Sequence, residues 1–218
     1  RKLVKKDAKA VAKLASTELL AFDPLYRFKE LNENDLIPFF TVYVKAIVSH
    51  KLSIGAFDAT SGRLYGFVLC YYSDVPLHRD VIDCLNPAKL NQILTIGDQV
   101  KVVGEGSEYA DLAASSLIIE LAVSERCLSD TPINRELCSR IHEKAKNIGK
   151  VVLSVATAAD SQAILRRSNG KRLNVIKYSD YADKKGYRPF KDIPEPNKKI
   201  EFWLLSDTRR LSSSTSDN

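Results

Sequence analysis

The sequence predicts one α+β domain, and three observations carry that prediction. Two β-rich runs at residues 52–58 and 63–72 flank Ala59-Thr60-Ser61-Gly62, an antiparallel hairpin with Gly62 suited to its tight turn. A strand–helix–strand unit follows at 117–156, which places its two strands parallel. Amphipathic helical patterns precede the hairpin and lie between the two units. Together they give a mixed, mostly antiparallel sheet with helices on both faces.

Each element has its own signal. At 7–20, Ala8, Val11, Ala12, Ala15 and Leu19 recur at helical spacing until Pro24 stops the pattern. A second helix at 34–49 carries Leu36, Phe39, Phe40, Tyr43 and Ile47, with Pro38 near its start where proline is tolerated. After a polar stretch at 76–87, a helix at 88–102 presents Leu90, Ile93, Leu94, Gly97 and Val100. The run 117–123 is almost wholly apolar, as a strand covered on both faces must be. The next helix has Thr131 at its N-cap, Pro132 at the first position and Gly149 just past its end. Residues 151–156 form the second buried strand, 160–168 a short helix, and 172–178 and 199–205 two further strands. The domain spans 1–208, and a Ser-rich tail at 209–218 has too few apolar residues to pack.

Composition excludes several classes. The 218 residues are 44% hydrophobic and 28% charged, ordinary globular usage with enough chain to bury a core. No apolar run reaches the ~18 residues a membrane span needs, since Lys45 and Glu120 interrupt the best candidates. Cys70, Cys84, Cys127 and Cys138 have neither CxxC spacing nor a nearby His pair, so reduced thiols in a cytoplasmic protein are expected and no metal site is. His50, His78 and His142 are scattered and support no Cys-His nucleophile. The net charge is +6, and residues 135–172 hold nine Lys and Arg against three acids, which accounts for all of it. No interleaved aromatic-basic motif accompanies that charge, so nucleic acid is not the expected partner.

Five stretches, in this order, carry a resemblance. They are Phe22-Asp23-Pro24-Leu25; the hairpin with Ala56-Phe57-Asp58 and Ser61-Gly62; the Leu90, Ile93, Leu94, Ile96, Asp98, Val100 pattern; the strand at 117–123; and Tyr-Ser-Asp-Tyr-Ala-Asp from Tyr178, running on to Gly186-Tyr187-Arg188-Pro189-Phe190. The chain resembles the GNAT acyltransferase superfamily, and within it the arylalkylamine (dopamine-type) N-acetyltransferases of insects and nematodes. That resemblance implies acetyl-CoA-dependent acetylation of a small primary amine by direct transfer, in a monomer, with no metal. Acetyl-CoA would enter where the strands at 117–123 and 151–156 splay apart, its pantetheine pairing with the backbone of Leu121, Ala122 and Val123.

In such enzymes a glycine-bearing loop and a helix N-terminus hold the cofactor pyrophosphate, because free N–H groups and the helix dipole favour an anion. The equivalent residues here are Ser129, Asp130, Thr131, Ile133, Asn134 and Arg135, in a loop with no glycine, one residue more than the family pattern, and an acid. Two readings stay open at this point: Asp130 and Thr131 cap a packed helix, or the loop binds cofactor, with Arg126 or Arg135 replacing some of the lost backbone contacts by charge-assisted ones. Arg167, with Arg166, Lys171 and Arg172, is a further candidate for the phosphates of coenzyme A.

A primary ammonium must lose a proton before it attacks a thioester, so a base is required. Asp23 stands where the resembling insect enzymes carry a catalytic Glu before Pro-Leu, with a reach shorter by about 1.5 Å. Glu120 is the ionisable residue inside an apolar strand where many GNAT enzymes place their base, and burial there is expected to raise its pKa. The residue types equally allow Asp23 to cap a turn and Glu120 to face solvent. Thr157 and Ser161, four residues apart, match two relay serines of the resembling enzymes; both are also good helix caps. The alternative function is a catalytically inactive GNAT-fold binding domain whose cofactor loop no longer works.

Overall fold

The computed structural model of the chain describes residues 1–74, 88–103, 116–125 and 131–205. The expected polar stretch at 76–87, the loop residues Arg126, Cys127, Ser129 and Asp130, and the Ser-rich tail lie outside the described residues, as do His78 and Cys84. A short 3-10 helix (Lys5–Asp7) precedes six α-helices among the described residues: α1 (Ala8–Phe22), α2 (Pro24–Phe28), α3 (Glu33–Val48), α4 (Ala88–Lys101), α5 (Pro132–Asn147) and α6 (Ala159–Arg167). Six strands accompany them: β1 (Ile54–Phe57), β2 (Leu64–Tyr72), β3 (Leu117–Ser124), β4 (Val152–Ala156), β5 (Lys171–Lys177) and β6 (Lys199–Leu205).

The strands form one sheet in the order β1-β2-β3-β4-β6-β5, antiparallel except for β3 with β4. This is the expected mixed architecture, and the crossover through α5 makes the parallel pair. One face buries Leu36, Phe39, Phe67, Leu69, Leu153 and Phe202 under α1, α3 and α4. Enclosing a side chain as large as Phe39 contributes ~2–3 kcal/mol relative to exposure. The other face buries Val68, Cys70, Leu117, Ile119 and Val152 under Leu137, Ile141 and Ala145 of α5. Helix α5 begins and ends as its sequence predicts, with the Thr131 side chain accepting from the Asn134 amide and Gly149 at φ +64° beyond its end. Gly66 lets that helix approach β2, since a Cβ there would sit 2.8 Å from Ile133 Cγ2.

Two local expectations change. Helix α4 buries Ile96 with Leu90, Ile93 and Val100, and leaves Gly97 half-buried. The turn after α1 is a short helix, α2, because Asp23 accepts hydrogen bonds from the amides of Leu25 and Tyr26 while Pro24 occupies the first position. Among the described residues, no helix is long and apolar enough to cross a membrane, and Cys70 and Cys138 are free thiols.

Candidate active site

The site is built where β3 and β4 part. They pair through Leu117 with Val152, Ile118 with Leu153 and Ile119 with Ser154, and no further. Beyond that point β3 runs on to Ser124 and β4 to Ala156, so the expected splay is present. On its other side β3 stays paired with β2 from Leu121 to Ser124. The edge of Leu121, Ala122 and Val123 that faces β4 is therefore outside the β-ladder. The register of β3 against β2 slips at the fork, where Leu69 faces Leu121 and Cys70 faces Ile119, leaving Glu120 as a bulged residue. Bulges re-aim side chains, and this one turns Glu120 toward the α3 and α4 layer.

Asp23, between α1 and α2, and Thr157, beyond β4, meet through their side chains. Thr157, just past the end of β4, donates its hydroxyl to Asp23 Oδ2 at 2.5 Å. Asp23 Oδ1 accepts from Leu25 N at 2.8 Å and Tyr26 N at 3.3 Å. The carboxylate is 3% exposed, and burial pushes its pKa up against the pull of Thr157 and the two amides. Asp23 thus caps α2, as one reading of the sequence has it, and its second oxygen meets the hydroxyl of Thr157. Three of its roughly four lone-pair sites are used, and one on Oδ2 remains for an incoming proton. Tyr178, buried, donates to the Thr157 carbonyl at 2.8 Å and fixes the segment that carries the hydroxyl. Ser161 is half-buried in the first turn of α6 and, among the described residues, bonds neither Asp23 nor Thr157.

Glu120 corrects the sequence reading. Its Oε1 accepts from Tyr43 Oη at 2.9 Å, and its Oε2 from Tyr71 Oη at 3.2 Å and Lys101 Nζ at 2.9 Å. Burial alone would raise its pKa, but the Lys101 ammonium and the three donors outweigh it and hold the carboxyl below its ordinary value. Lys101, held charged by Glu120, Tyr71 and Asp98 despite its burial, was legible only as a basic residue in the last turn of α4. The phenol of Tyr26 is pushed well up by burial and by the negative charges of Asp23 and Glu120.

The cofactor-side residues are partly committed elsewhere. Thr131 Oγ1 is bonded to Ser124 Oγ at 2.8 Å and caps Asn134 N at 3.1 Å. Pro132 has no N–H, and the amide of Arg135 bonds the Thr131 carbonyl, so the start of α5 offers few free donors. Asn134 is buried and Arg135 exposed. Ile133 lines, with Phe57 and Leu137, a cleft of about 930 Å³ between β1 and α5, at the sheet edge away from the splay. Arg166 and Arg172 turn to Glu201, a fully buried carboxylate 3.8 Å and 3.1 Å from them, which Lys199 also approaches at 2.8 Å. Arg167 remains exposed at the end of α6.

No protein-family model matches the sequence, and a comparison with curated proteins finds no match. Solved structures do match. Arylalkylamine N-acetyltransferase 2 from Aedes aegypti superposes with a TM-score of 0.74 at 16% identity, covering 95% of this chain and 97% of that one. The chain has the GNAT fold. A Drosophila melanogaster polyamine N-acetyltransferase that forms N-acetylagmatine matches with a TM-score of 0.73 at 15% identity, over 94% of this chain and 97% of that one. The C-terminal condensation domain of Ebony, solved with beta-alanyl-dopamine, matches with a TM-score of 0.65 at 14% identity, over 94% and 98%. In this GNAT fold the parting of β3 and β4 is the feature around which Asp23, Thr157 and Glu120 gather.

Proposed function

We propose that the protein is an N-acetyltransferase that moves the acetyl group of acetyl-CoA to a small primary arylalkylamine. The observation that carries the reading is the Asp23–Thr157 contact at the mouth of the β3–β4 opening. It supplies a buried carboxylate of raised pKa and a proton-bearing hydroxyl beside an unpaired strand edge. Acetyl-CoA brings the activated acetyl carbon; the C–N bond forms, the C–S bond breaks, and the departing thiolate takes up the proton that the added nitrogen sheds.

The chain's own residues then have separate tasks. The outward backbone of Leu121, Ala122 and Val123 would hold the pantetheine arm, and Arg135 and Arg167 would neutralise phosphate. Asp23 Oδ2 takes the ammonium proton, directly or through one water, and its raised pKa brings it toward the pH at which a base is most useful. Thr157 keeps its hydroxyl on that oxygen and orients it. Glu120 stays ionised and does not exchange protons.

The test is direct. The protein is incubated with acetyl-CoA and a panel of arylalkylamines, with thiol release followed by a colorimetric reagent and N-acetyl product by mass. Amine-dependent release with a matching product supports the reading; thiol release at the amine-free rate across the panel refutes it. One observation favours a second reading, an inactive binding domain: Thr131 and Pro132 leave few amides at the start of α5 for pyrophosphate. Calorimetric titration with coenzyme A separates the two, because the inactive domain shows no binding at millimolar ligand.

A further inference from the structure

Thr157 lies just past β4, and α6 starts two residues later at Ala159. The backbone there needs partners from outside, because the first amides of a helix have none within it. Ala158 stands at the N-cap of α6 and makes no side-chain cap, since alanine has no oxygen to accept with. The acceptor comes instead from 38 residues away: Asn197 Oδ1 takes the amide of Ala159 at 2.9 Å. Asn197 is near the end of the connection from β5 to β6, and Tyr178, at its start, donates Oη to the Thr157 carbonyl at 2.8 Å. The two ends of one connection thus grip the backbone at Thr157 itself and two residues beyond it.

The middle of the same connection reaches the other partner in the Asp23–Thr157 contact. Tyr181, Phe190 and Ile193 are buried in the core that holds Leu25 and Tyr26 of α2, the helix that Asp23 caps. Lys29, at the C-cap of α2, places its ammonium 4.9 Å from the centre of the Phe190 ring. Between its ends the connection also braces itself, with Asp183 Oδ1 accepting from the amides of Lys185 and Tyr187. The hydroxyl of Thr157 sits 2.5 Å from Asp23 Oδ2, and a bond so short survives little displacement of either residue.

We infer that Asn197, together with Tyr178, is a positioning residue: the connection from β5 to β6 clamps residues 157–159 so that the Thr157 hydroxyl stays on the Asp23 oxygen that takes the proton. Its catalytic meaning rests on the acetyltransferase reading above, whereas the clamp is a property of the fold. The titratable groups that feel Asp23 are the phenols of Tyr26 and Tyr178. Burial and the Asp23 charge push both well above their ordinary range, so neither changes charge where Asp23 does.

The test follows the Asp23 carboxyl itself by carbon-13 NMR titration, alongside the acid limb of kcat/KM against pH. The Thr157 hydroxyl pulls the Asp23 pKa down against burial, so loosening it moves both midpoints to higher pH. Asn197→Leu, similar in size but without an acceptor, is expected to move them by at least half the shift that Thr157→Val produces. Asn197→Asp restores an oxygen for the Ala159 amide and is expected to bring the midpoints back below those of the Leu variant. Its new negative charge could only push Asp23 further up, so that return reports the restored bond. Tyr178→Phe keeps the buried ring, removes the hydroxyl alone, and gives the same upward shift where Asn197→Leu fails to fold. In a Thr157→Val background neither substitution adds a shift, because the group through which both act is gone.

Midpoints that stay in place in folded Asn197→Leu and Tyr178→Phe overturn the inference. So does a full shift in the Thr157→Val background, which would put the effect on Asp23 without Thr157. A shifted NMR midpoint in a protein that acetylates no amine overturns the acetyltransferase reading and leaves the clamp established.

Discussion

Thr157 Oγ1 lies 2.5 Å from Asp23 Oδ2 across 134 residues of sequence, joining the turn after α1 to the segment after β4. Neither residue reaches the other unless the sheet and the first helix layer are both in place. The contact therefore ties the chemistry of the candidate site to completion of the fold, and it gives the first two predictions their handle.

Asp23→Asn separates catalysis from stability. Asn keeps the cap on α2, because its Oδ1 still accepts from Leu25 and Tyr26, but it cannot take a proton. Loss of a general base costs on the order of 10²–10⁴ in kcat/KM, and the acid limb of the pH–rate profile disappears with it. The folded pKa of Asp23 is raised, so the native state holds its proton more tightly than the unfolded chain does. Stability therefore declines as pH rises from the unfolded value through the folded one. The neutral Asn escapes that cost, and its melting temperature at neutral pH is expected to equal or exceed that of the unaltered protein. A clear fall in melting temperature would mean the carboxylate is needed for the fold, and unaltered kinetics would remove Asp23 from the mechanism.

Thr157→Val tests the hydroxyl. Its hydrogen bond lowers the Asp23 pKa against the larger effect of burial, so deleting it moves the acid limb of the rate profile to higher pH. Thr157→Ser restores the hydroxyl and returns the limb to its original position. A profile that does not move in the Val variant would show that Thr157 does not act through Asp23.

Most of the fold was legible because its signals are local. Thr131-Pro132 and Gly149 bound α5 within a residue or two, and the run at 117–123 reads as a covered strand without knowledge of its neighbours. Asp23, Thr157 and Glu120 were legible as candidates, but their states were not. The pKa of Glu120 depends on Lys101, Tyr43 and Tyr71, which come from three other elements and converge only through a one-residue slip in the β2–β3 register. Periodicity does not encode that slip. Likewise Arg166 and Arg172 read as an exposed basic run until Glu201, some thirty residues on, is seen beneath them.

Glu201→Ala addresses that basic run. Three cations and the indole N–H of Trp203, 3.2 Å away, converge on a carboxylate that is 0% exposed. Removing it leaves Lys199, Arg166 and Arg172 to repel one another around a cavity, although the half-exposed arginines can turn partly to water. Breaking a buried pair costs about 3–5 kcal/mol, and the lower end is expected here. Chemical denaturation with a change below about 1 kcal/mol would show that the cluster is decoration on an already stable sheet.

Glu120→Gln gives the last prediction, and its sign follows from the pairing with Lys101. The folded pKa of Glu120 lies below its ordinary carboxylate value of about 4.3, so the pair stabilises the native state fully above that pH. The contribution is lost as pH falls through the folded value, where the carboxyl takes a proton and Lys101 loses its nearest counter-ion. Acid unfolding of the unaltered protein should therefore contain a component that Gln removes, and the Gln variant should be less stable at neutral pH by about 1–3 kcal/mol, because Lys101 keeps only the more distant, half-exposed Asp98 as its acidic partner. Its rate profile is a separate matter. Because Glu120 is held ionised and exchanges no proton, the acid limb assigned to Asp23 should persist in Glu120→Gln. Loss of that limb, with Asp23 intact, would transfer the role of base from the turn after α1 to the bulge in β3.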